Sequence, residues 1–310
     1  MGARQGEEST DVAEPHEAVL QLGMAETHEA AARWDEAFVH YRNAATLEPR
    51  YARELSGALE RFAENHRTEV LAGTRRMESY VWSFLSNQGN PQMNFYPGLS
   101  ARPFHDPQAF ALARALENAS VDICREVMSI AAKDYHAEVE DRLVAGGAWD
   151  VVLFYERGKK HLANCSRCPT VTRIIESHAT VRTQAGLLYA SKLNPGAHIS
   201  CHCGPTNMRL RCHLGIEVPS GDCGIRVGGQ TQRWVAGKCL VFDDSLEHES
   251  WNLTMDPRIV LIIDIWHPDL TPAEITYLEG LHRFVDSQAK SLYRGWSESQ
   301  LRLNAAASYD

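Results

Sequence analysis

No apolar run in this chain is long enough to cross a bilayer. The longest, Ile259–Trp266, carries Asp264 within it, where a spanning helix requires about 20 apolar residues. No export leader is expected, because residues 1–16 are polar and acidic with no apolar segment. Positive charge is not in excess. Lys and Arg number 31 against 40 Asp and Glu, a net charge of -9, which disfavours nucleic acid and anionic membrane surfaces as partners. A soluble, cytoplasmic protein is expected, with no membrane and no nucleic-acid partner. A disulfide framework is not expected either. Eight cysteines in 310 residues with no leader expected read as thiols. Cys165 and Cys168 also allow a local redox pair, or a thiolate zinc site with Cys201 and Cys203. Cys201 and Cys203, however, flank His202 and alternate away from it on a strand.

Hydrophobic residues make up 44%, enough for one large domain, or one domain with a helical appendage. Residues 1–15 read as a disordered tail. Residues 16–75 read as helical. Trp34-Asp35-Glu36-Ala37, Tyr41, Ala44 and Pro49 fall at the spacing of one tetratricopeptide unit, with Ala25 at the small position of its first helix. A single unit cannot bury its own face, so it is expected either to cap the following domain or to meet a protein partner. Residues 76–105, rich in Pro and Gly turns, read as a linker. Asp106-Pro107 opens a helix expected to run to about Ile130. From Trp149 the period shortens. Strands are expected over 149–155, 185–193, 208–218, 225–227, 232–235, 238–242 and 258–266, separated by Gly and Pro turns and by a short helix over 169–177. Many short strands of this kind indicate a sandwich or jelly roll. Thr271-Pro272-Ala273-Glu274 starts a final helix, 272–293, with a capping box. The larger domain thus spans 106–310, its barrel about 149–268.

Chemistry concentrates between Ser191 and Pro268. His202 and His248 are 46 residues apart, and Arg258 opens an apolar strand ten residues later. Imidazoles suit Fe(II) sites that leave positions open for O2 and a cosubstrate. A 2-oxo acid would chelate such a metal at one end and need a cation at the other, where arginine offers a planar fork of donors. Arg258 would be costly on its strand without an anion. Arg209, Arg211 and His213 alternate with Leu210 and Cys212, so they share one face.

At these positions the sequence resembles the aspartyl/asparaginyl β-hydroxylase family. The likeness runs from about Trp149 to Pro272. It is dense in Asn194-Pro195-Gly196-Ala197-His198, His202-Cys203-Gly204-Pro205-Thr206-Asn207, Arg209-Leu210-Arg211-Cys212-His213, Phe242-Asp243-Asp244-Ser245-Leu246-Glu247-His248 and Ile265-Trp266-His267-Pro268. The resemblance implies an α+β protein. Its core would be a double-stranded β-helix, jelly-roll or cupin-like, with an N-terminal helical region and flanking helices. It implies an Fe(II)- and 2-oxoglutarate-dependent dioxygenase that consumes O2, hydroxylates an unactivated C–H bond and releases succinate and CO2. His202 and His248 would hold the metal. Ser191, Arg211, His213 and Arg258 would hold 2-oxoglutarate. Arg209, Glu140 and Asp141 would meet substrate, and His198 would stand close behind the metal. Gly204 occupies the position where most related oxygenases place a carboxylate ligand, so weaker iron binding is expected. Asp243 and Asp244 read chiefly as turn residues, Glu247 and Glu249 as solvated, and His267 as structural. The substrate would be an aspartyl or asparaginyl residue in a peptide or small molecule. A free amino acid such as proline, an acyl chain, or an inactive scaffold using the helical arm remain alternatives.

Overall fold

The structure, a computed structural model, describes residues 14–66, 68, 73–80, 95–137, 143–183 and 185–293. The expected tail, the linker before Phe95, and Glu140 and Asp141 therefore fall wholly or largely outside the described residues.

Two antiparallel sheets face each other. The larger runs β1 (Phe104–His105), β11 (Cys239–Phe242), β8 (Arg209–Glu217), β13 (Arg258–Trp266), β6 (Leu187–Leu193), β4 (Trp149–Glu156), β2 (His136–Ala137), with β5 (Lys159–Lys160) beside β4. The smaller runs β10 (Gln230–Gln232), β9 (Cys223–Val227), β12 (His248–Asn252), β7 (Ala197–His202), β3 (Val144–Ala145). Consecutive strands alternate between the sheets along much of the barrel, which is the double-stranded β-helix. With its helices the protein is α+β.

Burial explains why β13 reads as unbroken apolar sequence: all nine of its residues are buried. Ile259, Leu261, Ile263 and Ile265 join Leu210, Cys212 and Leu214 under a helical layer, while Val260 and Ile262 face the smaller sheet. Each such side chain contributes about 1.5–3 kcal/mol on leaving water. The helical layer is α4 (Ala111–Asn118), α5 (Ser120–Met128), α6 (Leu162–Arg167) and α7 (Pro169–Glu176). The helix expected from Pro107 to Ile130 is in fact three pieces. Pro107–Ala109 forms a 3-10 turn capped by Asp106, which accepts from the Gln108 N–H at 3.0 Å, and Ala119 leaves helical backbone between α4 and α5. Glu117, just before that break, accepts from the Cys239 N–H and pairs with Lys238, tying α4 to β11.

At the amino end, α1 (Glu14–Ala30), α2 (Trp34–Leu47) and α3 (Ala52–Asn65) pack on one another through Ala25, Ala37, Phe38, Tyr41, Ala58 and Phe62. The terminal helix α8 (Pro272–Tyr293) begins with the expected capping box: the Thr271 N–H donates to Glu274, and the Glu274 N–H donates to Thr271 Oγ1. Glu274 also accepts from Arg76 and Tyr96, which anchors residues 73–80 and 95–100 to the barrel end. Among the described residues, no helix is long and apolar enough to cross a membrane.

Candidate active site

The register decides which side chains enter the barrel. On the larger sheet Ser191, Arg209, Arg211, His213, Arg258 and Asp264 all alternate with the residues under the helices, so they point inward. On the smaller sheet His248 pairs with His202, whereas Ser250 pairs with Ile199. The irregularity sets Ser200 and Cys201 together opposite Glu249, a β-bulge that turns His202 inward. The two imidazoles lie with ring centroids 4.2 Å apart. His202 Nδ1 is 2.7 Å from the Ser200 carbonyl and His248 Nδ1 is 2.9 Å from the Leu246 carbonyl. A carbonyl only accepts, so each Nδ1 carries a proton and each Nε2 is the nitrogen left to act as a ligand. Burial, then the neighbouring His202, pulls the His248 imidazolium down to about 4, so the ring is neutral near pH 7.

The same bulge sends His198 the other way. It sits on β7, not in a loop, opposite Trp251, and its Nε2 meets Glu249 at 2.8 Å. The structure does not bring His198 to the histidine pair. Glu249 is buried between His198 and Arg226, not solvated; Glu247 is exposed.

Arg258 is 1% exposed. No described carboxylate pairs with it. The Trp234 ring lies 4.6 Å from its guanidinium carbon, and its Nε has no partner. Burial draws the guanidinium down to about 10, leaving it charged at neutral pH. His213 is held well below the usual imidazole range by burial, then by Arg258 and Arg211, and its Nε2 has no partner. Ser191 Oγ accepts from the Trp149 indole at 3.0 Å, leaving its own hydrogen free to donate. Phe242 bridges the two groups, its ring centroid 4.8 Å from His213 and 5.9 Å from His248.

Arg209 and Arg211 share the inward face with His213, as their alternation suggested, and meet carboxylates there. Arg209 is 3% exposed and lies 3.1 Å from Asp244 and 2.5 Å from Asp264. Arg211 lies 3.1 Å from Asp244 and 3.3 Å from Asp264. Both guanidiniums thus hold a buried pair of carboxylates inside the barrel. Asp244 and Asp243 divide the roles that a turn reading merged. Asp243 caps the turn, accepting from the Ser245 N–H and hydroxyl. Asp244 is buried. Burial alone would push its carboxyl up, but Arg209 and Arg211, then His248 and His202, hold it below the usual carboxylate range. A Cβ added at Gly204 would stand 2.6 Å from Asp244 Oδ2. Glycine is required there because Asp244 fills the space a side chain at 204 would need.

Trp149, Trp234 and Asp244 are the site residues that reasoning from the sequence missed. No spacing marks them; an aromatic at a turn or an acid after a strand has many uses. His267 is structural, its ring held by the Ser100 carbonyl and the Asp269 N–H. All eight cysteines are free. Cys165 and Cys168 are buried under the helical layer and Cys201 and Cys203 are exposed, so the four do not form one site. Among the described residues no group of three or more His, Cys, Asp or Glu is placed to hold a metal.

Fold and interior define a class: a double-stranded β-helix protein with two facing imidazoles on one sheet and, on the other, a buried arginine that no described carboxylate pairs. Residues 117–268 match the aspartyl/asparaginyl beta-hydroxylase family, and this segment of the chain belongs to it. The mouse aspartyl/asparaginyl beta-hydroxylase is 32% identical over 222 residues, covering 67% of this chain and 30% of that protein. The rat aspartate beta-hydroxylase domain-containing protein 2 is 32% identical over 227 residues, covering 69% of this chain and 65% of the relative. The chain thus spans under a third of the mouse hydroxylase. Among solved structures, a Pseudomonas putida prolyl-4-hydroxylase aligns with a TM-score of 0.31 and 12% identity over 50% of this chain and 87% of its own.

Proposed function

We propose that the chain is an Fe(II)- and 2-oxoglutarate-dependent dioxygenase that hydroxylates an aspartyl or asparaginyl residue of a peptide or small molecule. The observation that carries this reading is Arg258. A fully buried guanidinium with no carboxylate beside it among the described residues is a standing electrostatic cost, and a dicarboxylate cosubstrate would remove it. The residues fit a ferrous ion as well: two facing imidazoles whose Nδ1 atoms are fixed by backbone carbonyls, leaving each Nε2 to the interior, are the donors such an ion takes.

In this reading His202 and His248 hold the metal. Arg258, His213 and Ser191 hold the far carboxylate of 2-oxoglutarate with converging donors. Asp244, kept ionised by Arg209 and Arg211, places negative charge beside the imidazole pair. When bound, the metal supplies the O2 chemistry that couples oxidation of 2-oxoglutarate to succinate and CO2 with transfer of one oxygen atom to a C–H bond. The apolar walls around Phe242 and Ile262 keep bulk water from the interior. The helices over 16–75 would form a tetratricopeptide-like cap on a cytoplasmic enzyme, with 106–310 as the oxygenase domain.

The test is succinate release from 2-oxoglutarate when protein loaded anaerobically with Fe(II) is admitted to air. His202→Ala and His248→Ala should each abolish it. Turnover that survives both substitutions sinks the ligand assignment, and a wild-type protein that leaves 2-oxoglutarate untouched is an inactive scaffold. Product mass raised by one oxygen atom, across Asp/Asn peptides, free amino acids and acyl carriers, identifies the substrate.

A further inference from the structure

The segment between β10 and β11 carries one tryptophan whose two faces of chemistry meet the anion site at different points. Trp234 is 3% exposed although it lies in no strand, and its neighbour Val235 is 60% exposed. The backbone explains the inward turn. Gly215 on β8 bridges Ala236, its N–H donates to the Lys238 carbonyl, and the Gly237 N–H donates back to Gly215. A Cβ at Gly215 would stand 2.4 Å from the Val235 carbonyl oxygen, so this close approach exists only because 215 is glycine. The loop is laced to the strand that carries His213, two residues away.

From that anchor the indole does two things. Its Nε1 donates to His213 Nδ1 at 3.3 Å, with the two rings nearly parallel at 13°. An indole N–H only donates, so His213 Nδ1 must accept and the single proton of the neutral ring sits on Nε2. That Nε2 has no partner, and neither does Arg258 Nε. The indole face lies 4.6 Å from the guanidinium carbon of Arg258, and covers it as a cation–π partner would. A neutral imidazole of the other tautomer would turn a lone pair toward a bound carboxylate and repel it.

We infer that Trp234 is a positioning residue that locks His213 as the Nε2–H tautomer and fixes Arg258, so that both present donors to one carboxylate. The identity of that carboxylate, the far end of 2-oxoglutarate, rests on the proposed function; the lock itself does not. Loss of the indole N–H alone releases the tautomer while the ring keeps its place over Arg258.

The experiment replaces Trp234 with phenylalanine, and separately with benzothienylalanine, which keeps the bicyclic shape and lacks the N–H. Two readouts are taken on the full chain. The first is the nitrogen-15 imidazole spectrum of the ligand-free protein, with His213 assigned by its absence in His213→Gln. The second is 2-oxoglutarate affinity by calorimetry with Mn(II) present. Wild type should show His213 protonated at Nε2 alone. Both variants should shift it toward a tautomer mixture and weaken 2-oxoglutarate by about 3- to 10-fold, the worth of one net hydrogen bond. KM for 2-oxoglutarate should rise with kcat nearly unchanged. An unaltered His213 signature in the benzothienylalanine protein overturns the inference, whatever the affinity does. Should wild type fail to bind 2-oxoglutarate, the proposed function falls, and the ligand-free spectrum still decides whether Trp234 sets the tautomer.

Discussion

Arg258 concentrates the tension between stability and function in one side chain. Its charge is buried with no counter-charge among the described residues, so the ligand-free protein carries a desolvation cost that a bound anion would relieve. Arg258→Met fills similar volume without charge. It should stabilise the ligand-free protein by about 1 kcal/mol in urea denaturation, while weakening 2-oxoglutarate by about 30-fold or more, the equivalent of about 2 kcal/mol for a charge-assisted contact. A variant that lost stability and kept its affinity would remove Arg258 from the anion site. Gly204 makes the opposite case. A carboxylate at that position would seem to complete a metal shell, yet its Cβ would fall 2.6 Å from Asp244 Oδ2. Two buried acids would then share one space. Gly204→Asp should lower stability by about 1–3 kcal/mol through overpacking, before any added charge repulsion, and should not tighten Fe(II). Denaturation midpoints together with Fe(II) titration decide it; a stable variant with tighter iron would show that Asp244 can yield.

At the scale of the strand, the bulge in β7 is what makes one histidine a site residue and the other a surface partner. Side-chain direction has period two, and His198 and His202 have the same parity in sequence. Only the extra residue opposite Glu249 separates them. Deleting Cys201 alone should restore regular alternation and leave His202 facing His248. Deleting Ser200 and Cys201 together should swing it to the outer face. Co(II) binding, read from its visible spectrum, should weaken by no more than about tenfold in the first protein, the scale of an altered supporting contact, and vanish in the second. Equal binding by both deletions would mean that parity does not set this pair. The bulge also explains where sequence reading stopped. The long strands β4 and β13 were legible because burial on both faces leaves largely apolar runs, where the charge of Arg258 stood out, and the inward His213 followed from the polar and apolar alternation along β8. β7 and β12 were not, because Ala197–His202 and His248–Asn252 mix polar side chains on both faces and offer no such run. Trp234 and Asp244 sit in connections, where direction follows from pairings made elsewhere in the chain. The carboxylates opposite Arg209 and Arg211 come from β13 and from a loop after β11, so their partnership appears only once the sheet is assembled.

The whole molecule joins its amino-terminal helices to the barrel largely through polar contacts. Arg42 pairs with Glu279 on α8 at 3.0 Å, the Asn43 amide donates to the Glu176 carbonyl, and Arg182 donates to Asn43. His40 is buried on α2 near this seam, its Nδ1 2.8 Å from Gln21 and its ring stacked on His28. Burial, then the charges of His28, His178 and Arg182, draws it down to about 4 against an opposing pull from Glu36. The unfolded chain titrates this ring near its ordinary value of 6.5. Between about 4 and 6.5 the unfolded state therefore binds more protons, and stability must rise with pH across that window. The contribution is complete above about 6.5 and is lost as pH falls toward 4, a change on the order of 3 kcal/mol for a shift of about 2.5 units. His282, also drawn to about 4 by burial, adds a loss of the same sign, as do other buried histidines, so wild type alone cannot isolate the seam. His40→Gln keeps a polar group near Gln21 and cannot take up a proton. Its denaturation free energy should fall less steeply than wild type between pH 6.5 and 4.5, and hydrogen exchange along α2 should lose its acid sensitivity. Parallel pH profiles for the two proteins would show that the acid response of this seam originates in another group.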